Sequence, residues 1–214
     1  MKKIVAINGS PRVGWNTDLM IQEAAKGAEE AGAEVEIFQI SKLEPFRGCR
    51  SCYVCKTDIS RGKCAIKDGL KPVLDKMREA DGIIIGTPIY IGEITADLHA
   101  LVERMIYQFA TYQPDNRYEG NLPMKPVLFL VTSNAPLWEY PQMGYDALID
   151  RWVDEFSNAI GPTEVVIADE TMMTWNYEKY TWTRFDYDDR RRRREEVFPD
   201  QLKAAYEAGK RVFA

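Results

Sequence analysis

Apolar positions along the chain fall into short unbroken runs separated by segments of helical periodicity. Ile4-Val5-Ala6-Ile7 is such a run, ending at Asn8-Gly9-Ser10-Pro11. A run with a turn signal behind it reads as a strand buried on both faces of a parallel sheet. Asn16 is placed to cap a helix over 17–31, with Leu19, Met20, Ala24, Ala28 and Ala31 near helical register, and Gly32 closes it. Val35 to Ile40 alternates as a second strand. Beyond the loop 41–68, helices are expected over 70–80, 94–109, 145–160 and 199–213. Strands are expected over 82–86, 127–131 and 164–167. Strand followed by helix, again and again, predicts an α/β protein with a parallel sheet and right-handed crossovers.

Composition narrows the function classes. The 214 residues are 45% hydrophobic and 29% charged, which excludes global disorder. Lys plus Arg number 28 against 33 Asp plus Glu, a formal charge of −5 that argues against nucleic-acid binding. No apolar run approaches the roughly 18 to 20 residues of a membrane helix, so no membrane role and a cytoplasmic location are expected. A single histidine leaves no His-rich metal site. Two stretches exceed ordinary loop length and draw attention: the loop after strand two, and an aromatic stretch before the last helix.

The loop Gly9-Ser10-Pro11-Arg12-Val13-Gly14-Trp15-Asn16-Thr17 joins the first strand to the first helix. In open parallel sheets, ligands collect beyond the carboxyl ends of the strands, and a helix N-terminus there favours an anion. Ser10, Asn16 and Thr17 add neutral donors, and Arg12 adds a fork for phosphate oxygens. The loop lacks the glycine spacing of dinucleotide and triphosphate loops. It reads as a site for a single phosphate, with an ordinary strand–helix turn as the alternative.

Gly9-Ser10-Pro11-Arg12 with Asn16-Thr17 resembles the phosphate loop of the flavodoxin-like NAD(P)H-dependent FMN reductases. Thr87-Pro88-Ile89-Tyr90-Ile91-Gly92, continued through Leu98 to Glu103-Arg104, resembles the same family's second motif. The resemblance runs from the first strand to about residue 134. It implies a flavodoxin-like three-layer sandwich, with a five-stranded parallel sheet in the order 2-1-3-4-5. Residues 1–214 would then form a single FMN-binding domain, with a cysteine insertion at about 41–68 and an aromatic arm at about 169–198. FMN phosphate would lie at Ser10, Arg12, Asn16 and Thr17. Its ring would lie along Pro88, Ile89, Tyr90, Ile91 and Gly92, with Thr132, Ser133 and Asn134 at its other polar edge. Tyr90 could pack on the ring or be an aromatic at the edge of the core. The chain departs from the family pattern at Trp15, often Gly, and at His99, often Lys.

All four cysteines, Cys49, Cys52, Cys55 and Cys64, fall in one loop as C-x2-C-x2-C-x8-C. A disulfide framework would spread along the chain, so this cluster reads as a ligand set. It resembles the compact motif of the iron–sulfur flavoproteins, which implies a [4Fe–4S] cluster, with the x8 gap longer than that family's usual spacing. Free or redox-active thiols and a tetrahedral zinc are the alternatives.

Trp175, Tyr177, Tyr180, Trp182, Phe185 and Tyr187 could lid the flavin, stack a nicotinamide or quinone, or pack against a second subunit. Trp138 and Tyr140 are candidates for a substrate pocket. The run Arg190 to Arg194, flanked by Asp188, Asp189, Glu195 and Glu196, reads as a solvated face, with docking of an NADPH phosphate or an acidic electron-transfer partner as the alternative. The expected function is an FMN-dependent oxidoreductase that moves electrons from NAD(P)H or a ferredoxin-like donor to a quinone, flavin or other small acceptor. No side chain is required as a proton donor, so no catalytic residue is expected. A one-electron carrier of the iron–sulfur flavoprotein type and a non-enzymatic flavin or metal redox sensor are the other readings. The family resemblance implies a homodimer or homotetramer.

Overall fold

The structure is a computed structural model, and it describes residues 1–110, 123–182 and 184–214. Five parallel strands form one sheet in the order β2-β1-β3-β4-β5: β1 Lys2–Asn8, β2 Ala33–Gln39, β3 Gly82–Pro88, β4 Val127–Thr132 and β5 Thr163–Ala168. The helices are α1 Asn16–Glu30, α2 Leu70–Glu79, α3 Ala96–Phe109, α4 Tyr140–Met143, α5 Tyr145–Ala159, α6 Tyr187–Glu196 and α7 Phe198–Phe213.

Strand alternation divides the core into two layers. Val5, Ile7, Ile83, Ile85, Phe129 and Val131 face α2, α3 and α5. Ile4, Ala6, Ile84, Leu128 and Leu130 face α1 and α7. This is the flavodoxin-like three-layer sandwich. The unbroken apolar runs arise because both faces of β1, β3 and β4 are covered.

The strands mostly exceed their expected limits by one to two residues because pairing continues into polar positions, as where Lys2 and Lys3 pair with Ala33 and Glu34, while β2 stops one residue short of Ile40, which opens a helical turn. The helix start at Asn16 differs from expectation in kind. Trp15 is the N-cap residue, and no side chain caps the helix. The Asn16 carboxamide instead donates to the Met172 carbonyl at 2.9 Å and accepts from Arg194 at 2.8 Å. Helix α6 was not expected, since ten such polar residues carry no apolar stripe. It starts at Asp186, whose carboxylate accepts from the Asp188 and Asp189 N–H groups.

Two contacts set how closely α1 and α7 approach within their shared layer. Gly27 on α1 faces the Tyr206 carbonyl of α7, and Gly209 faces the Ala24 carbonyl of α1, so a Cβ at either would intrude on backbone oxygen. Gly27→Ala or Gly209→Ala is expected to lower stability by about 1–3 kcal/mol in urea denaturation, through overpacking that neither backbone can relieve. On the other face, buried Lys125 donates to the carbonyls of Met77, Arg78 and Ala80 at 3.1, 3.0 and 2.5 Å, closing the end of α2. Burial pulls its pKa down to about 8, so it still carries its charge at neutral pH. Lys125→Met leaves those carbonyls without that donor and is expected to cost about 1–3 kcal/mol by the same measurement.

Candidate functional site

Strands β1, β3 and β4 are neighbours, and the loops beyond their carboxyl ends share one edge of the sheet. The crossovers after β1 leave toward β2, while β3 and β4 lie on its other side, which makes this edge the topological switch point. The expected residues Ser10 to Thr17, Pro88 to Gly92 and Thr132 to Asn134 all stand on these loops or at the strand and helix ends that bound them. Direct bonds join them. Gly9 donates to the Gly86 carbonyl at 2.8 Å, the Thr95 hydroxyl donates to the Gly9 carbonyl at 2.7 Å, and the Thr17 and Thr132 hydroxyls lie 2.8 Å apart.

The first loop is shaped by Asp18, a residue that sequence reasoning missed. Its carboxylate is fully buried and accepts from Asn8 Nδ2 at 3.2 Å, Gln39 Nε2 at 2.7 Å, the Gly14 N–H at 2.6 Å and Gln22 Nε2 at 3.0 Å. Asn8 also accepts from the Ser10 N–H at 2.9 Å. The available signal was Asn8 itself. A polar residue closing an apolar buried strand has to find partners. The Ser10 hydroxyl accepts from the Arg12 N–H at 3.1 Å, which leaves its own proton free to be donated. With no capping side chain, the first turn of α1 presents N–H groups and the positive end of the helix dipole beside Ser10 and Thr17.

The second loop is a tight turn in which Tyr90 and Glu93 exchange backbone hydrogen bonds at 2.8 and 3.1 Å. Ile91 at φ +53° and Gly92 at φ +71° make the turn. Positive φ is unusual for a β-branched residue, and the Ile91 side chain is wholly exposed beside half-exposed Tyr90. Glu93 anchors the turn to α5. Burial pushes its carboxyl pKa up, but hydrogen bonds from Trp152 Nε1, the Ile94 N–H and Arg151 outweigh that and hold it below the usual range.

The third loop lines a cleft of about 290 Å³ between Ile89, Asn134, Trp138, Tyr145, Phe185 and Arg190. Asn134 Oδ1 is buried there without a hydrogen-bond partner among the described residues. The Ser133 hydroxyl is engaged by Tyr140 at 2.7 Å and by the Ala135 carbonyl at 2.9 Å. Tyr140 is therefore a core residue rather than a pocket one. Burial pushes its hydroxyl pKa up to about 12, against the opposing effect of its hydrogen bond with Ser133. Trp138 is exposed at the cleft's rim.

The aromatic arm packs on its own chain. Tyr177 is buried and stacks on Tyr187 at 4.7 Å, and Tyr180 stacks on Trp182 at 4.3 Å. The arm also straps the first loop. The Met172 carbonyl accepts from Trp15 Nε1 at 3.2 Å as well as from Asn16, and the Met173 carbonyl accepts from Arg12 at 2.7 Å. The arginine run is only partly a solvated face, because Arg190 and Arg193 reach inward to Glu170.

The cysteine loop lies along α3. Buried Arg104 pins both its ends, with Nη1 bonded to both Asp68 carboxylate oxygens at 2.8 Å and to the Arg47 carbonyl at 3.1 Å, and Nη2 to the Ile66 carbonyl at 3.2 Å. The Cys49 N–H donates to Glu103 at 2.9 Å, and the Cys64 N–H donates to Gln108 at 3.0 Å. Cys49, Cys52, Cys55 and Cys64 line one small hollow. They are near enough to sense one another. Burial pushes the Cys55 thiol pKa up, Lys56 pulls it down, and the other three thiols push it up again. Among the described residues, no three Cys, His, Asp or Glu side chains converge to hold one metal ion. Residues 41–68 carry seven basic and three acidic side chains, a local charge of +4 in a chain of −5. A wide hollow of about 690 Å³ opens beside Arg47, Arg50, Cys52 and Lys67. His99 lies on α3, 3.7 Å from Glu103 and edge-on to Trp152. No described helix is long and apolar enough to cross a membrane.

Comparison with known proteins accords with this geometry. Residues 2–136 match the NADPH-dependent FMN reductase family. An iron-sulfur flavoprotein of Methanocaldococcus jannaschii is 41% identical over 102 residues, covering 48% of this chain and 51% of the relative. One from Methanosarcina thermophila is 38% identical over 104 residues, covering 49% and 52%. The chain thus spans about half the length of the curated relatives it matches. Among solved structures, the NAD(P)H:quinone oxidoreductase from Methanothermobacter marburgensis aligns with a TM-score of 0.70 at 13% identity over 98% of both chains. An azoreductase from Bacillus anthracis aligns at 0.67 and 16% identity, covering 99% of this chain and 100% of that one. These two likenesses bear on the fold, whereas the family match over residues 2–136 spans the first two loops, the cysteines and β4. The chain belongs to the NADPH-dependent FMN reductase family.

Proposed function

We propose that the chain binds FMN across the β1, β3 and β4 loops and transfers electrons from NAD(P)H to a small acceptor such as a quinone or a flavin. The observation that carries this reading is the chemical match of that one sheet edge to both ends of FMN. The uncapped start of α1, with Ser10 and Thr17, suits a phosphate. The orphaned Asn134 Oδ1 calls for an N–H donor, which the pyrimidine edge of an isoalloxazine provides. Between them, Tyr90 and Ile91 offer apolar surface, and Gly92 carries no side chain to block a flat ring. Ser10, Arg12, Asn16 and Thr17 would hold the phosphate end; Pro88, Ile89, Tyr90, Ile91, Gly92, Thr132, Ser133 and Asn134 would flank the ring.

FMN, when bound, supplies the redox chemistry by taking a hydride at its N5. The chain's own part is binding, orientation and exclusion of water. Trp138 and Phe185 wall the cleft beside Asn134, leaving a slot for a planar acceptor. The exposed apolar rim of Val13, Tyr90, Ile91, Leu137, Trp138 and Trp175 favours a homodimer or homotetramer that covers it.

A second reading rests on the cysteine loop. Four thiols around one hollow, without three converging on a point, suit a [4Fe–4S] cluster better than a single tetrahedral ion. The names of the curated relatives support the same choice. Such a cluster would pass single electrons between FMN and a donor docking on the basic loop, and an acidic ferredoxin-like protein has the complementary charge.

Anaerobically purified protein, assayed for flavin, iron, acid-labile sulfide and zinc, is expected to hold FMN, with about four irons and four sulfides per chain on the second reading. Flavin without iron would remove the second reading alone, and failure to bind added FMN would remove both. Asp18→Ala is expected to weaken FMN binding at least about tenfold and to cost about 3 kcal/mol of stability, because four donors lose their acceptor. Flavin fluorescence titration and urea denaturation check the two effects.

A further inference from the structure

We propose that Arg194, on helix α6 far along the chain from the first loop, supplies positive charge to the FMN phosphate and so helps the site prefer FMN over riboflavin. This rests on the FMN reading above. Five consecutive arginines occupy 190–194, and four have carboxylate partners: Arg190 with Glu170, Arg191 with Asp188 and Glu178, Arg192 with Asp189 and Glu196, and Arg193 with Asp169 and Glu170. Among the described residues Arg194 has none. Helical spacing turns it inward with Arg190, and its Nη1 donates to Asn16 Oδ1 at the first residue of α1, at 2.8 Å. The guanidinium lies 4.2 Å over the Phe198 ring and 5.5 Å from the Trp15 ring.

A half-buried cation facing rings and a neutral amide is desolvated without a counter-ion. Burial lowers its pKa, but a guanidinium keeps its proton in a protein. The first loop carries a second guanidinium without a counter-ion, this one exposed to solvent. Arg12 sits 4.3 Å over the same Trp15 ring, donates to the Met173 carbonyl, and has no carboxylate partner among the described residues. Ser10 and Thr17 are neutral, and buried Asp18 adds negative charge behind the loop that an incoming phosphate would feel. Two unneutralised guanidiniums meeting at one indole supply the opposite sign. Trp15 is then a platform for both, which accounts for a bulky ring at the start of α1.

The test is titration of the flavin-free protein with FMN and with riboflavin, followed by flavin fluorescence, for wild type, Arg194→Gln, Arg194→Lys and Arg192→Gln. Arg194→Gln is expected to weaken FMN about tenfold to a hundredfold and to leave riboflavin unchanged. Arg194→Lys should recover part of the loss, and the exposed, fully paired Arg192→Gln should bind as wild type does. The gap between wild type and Arg194→Gln should narrow as salt is raised. Equal weakening of both flavins would make Arg194 a brace of the arm, and no weakening would remove its role; either overturns the proposal. Wild type that binds both flavins alike would overturn the phosphate site with it, and wild type that binds neither would overturn the FMN reading itself.

Discussion

A carboxylate sealed from water must be met by donors on every side, and Asp18 meets that demand by drawing three segments together. It reaches Asn8 at the end of β1, Gln39 at the end of β2 and the Gly14 N–H in the first loop. The loop takes its shape from this network together with the left-handed turn at Gly14. The Asn8 oxygen then holds Ser10, and the Ser10 hydroxyl holds Arg12. One buried charge thereby fixes the backbone that the whole sheet edge depends on.

Two long-range straps build on that frame. The arm's Met172 and Met173 carbonyls close over Trp15, Asn16 and Arg12, so the first loop is completed by residues from the other end of the fold. Arg104 does the corresponding work for the cysteine loop, which has little apolar core beneath it. One bonded guanidinium joins Arg47, Ile66 and Asp68 to α3. That same helix begins at Thr95 beside the first loop and carries Glu103, which holds Cys49, about two turns further on. The sheet edge formed by the first three loops and the thiol cluster therefore share a rigid support.

The sheet was legible in the sequence because burial on both faces leaves no room for polar positions, as at Ile83-Ile84-Ile85. The strand order and the loops came from the family-like motifs around Ser10 and Tyr90, which carry the family's pattern within short windows. What escaped notice was everything that depends on distant partners. Asn16 looks like a cap by local rules, yet Met172 and Arg194 take the two ends of its amide across more than 150 residues. Asp18 looks like an ordinary acid in a first helical turn, and only the fold buries it. Aromatic density in the arm required burial, but the sequence does not say that Tyr187 would be the partner of Tyr177. The Arg190–Arg194 run likewise hides its exception, because helical spacing pairs only Arg191 and Arg192, while the tertiary fold gives Arg190 and Arg193 their carboxylates and leaves Arg194 with an amide.

The central claim is that one sheet edge, completed by the arm, is the flavin site. Hydrogen–deuterium exchange of the flavin-free chain with and without added FMN tests it most directly. Exchange should slow together at residues 10–17, 88–92 and 132–134, and also at 172–175 in the arm. Slowing confined to other segments, or none at saturating FMN, would contradict it.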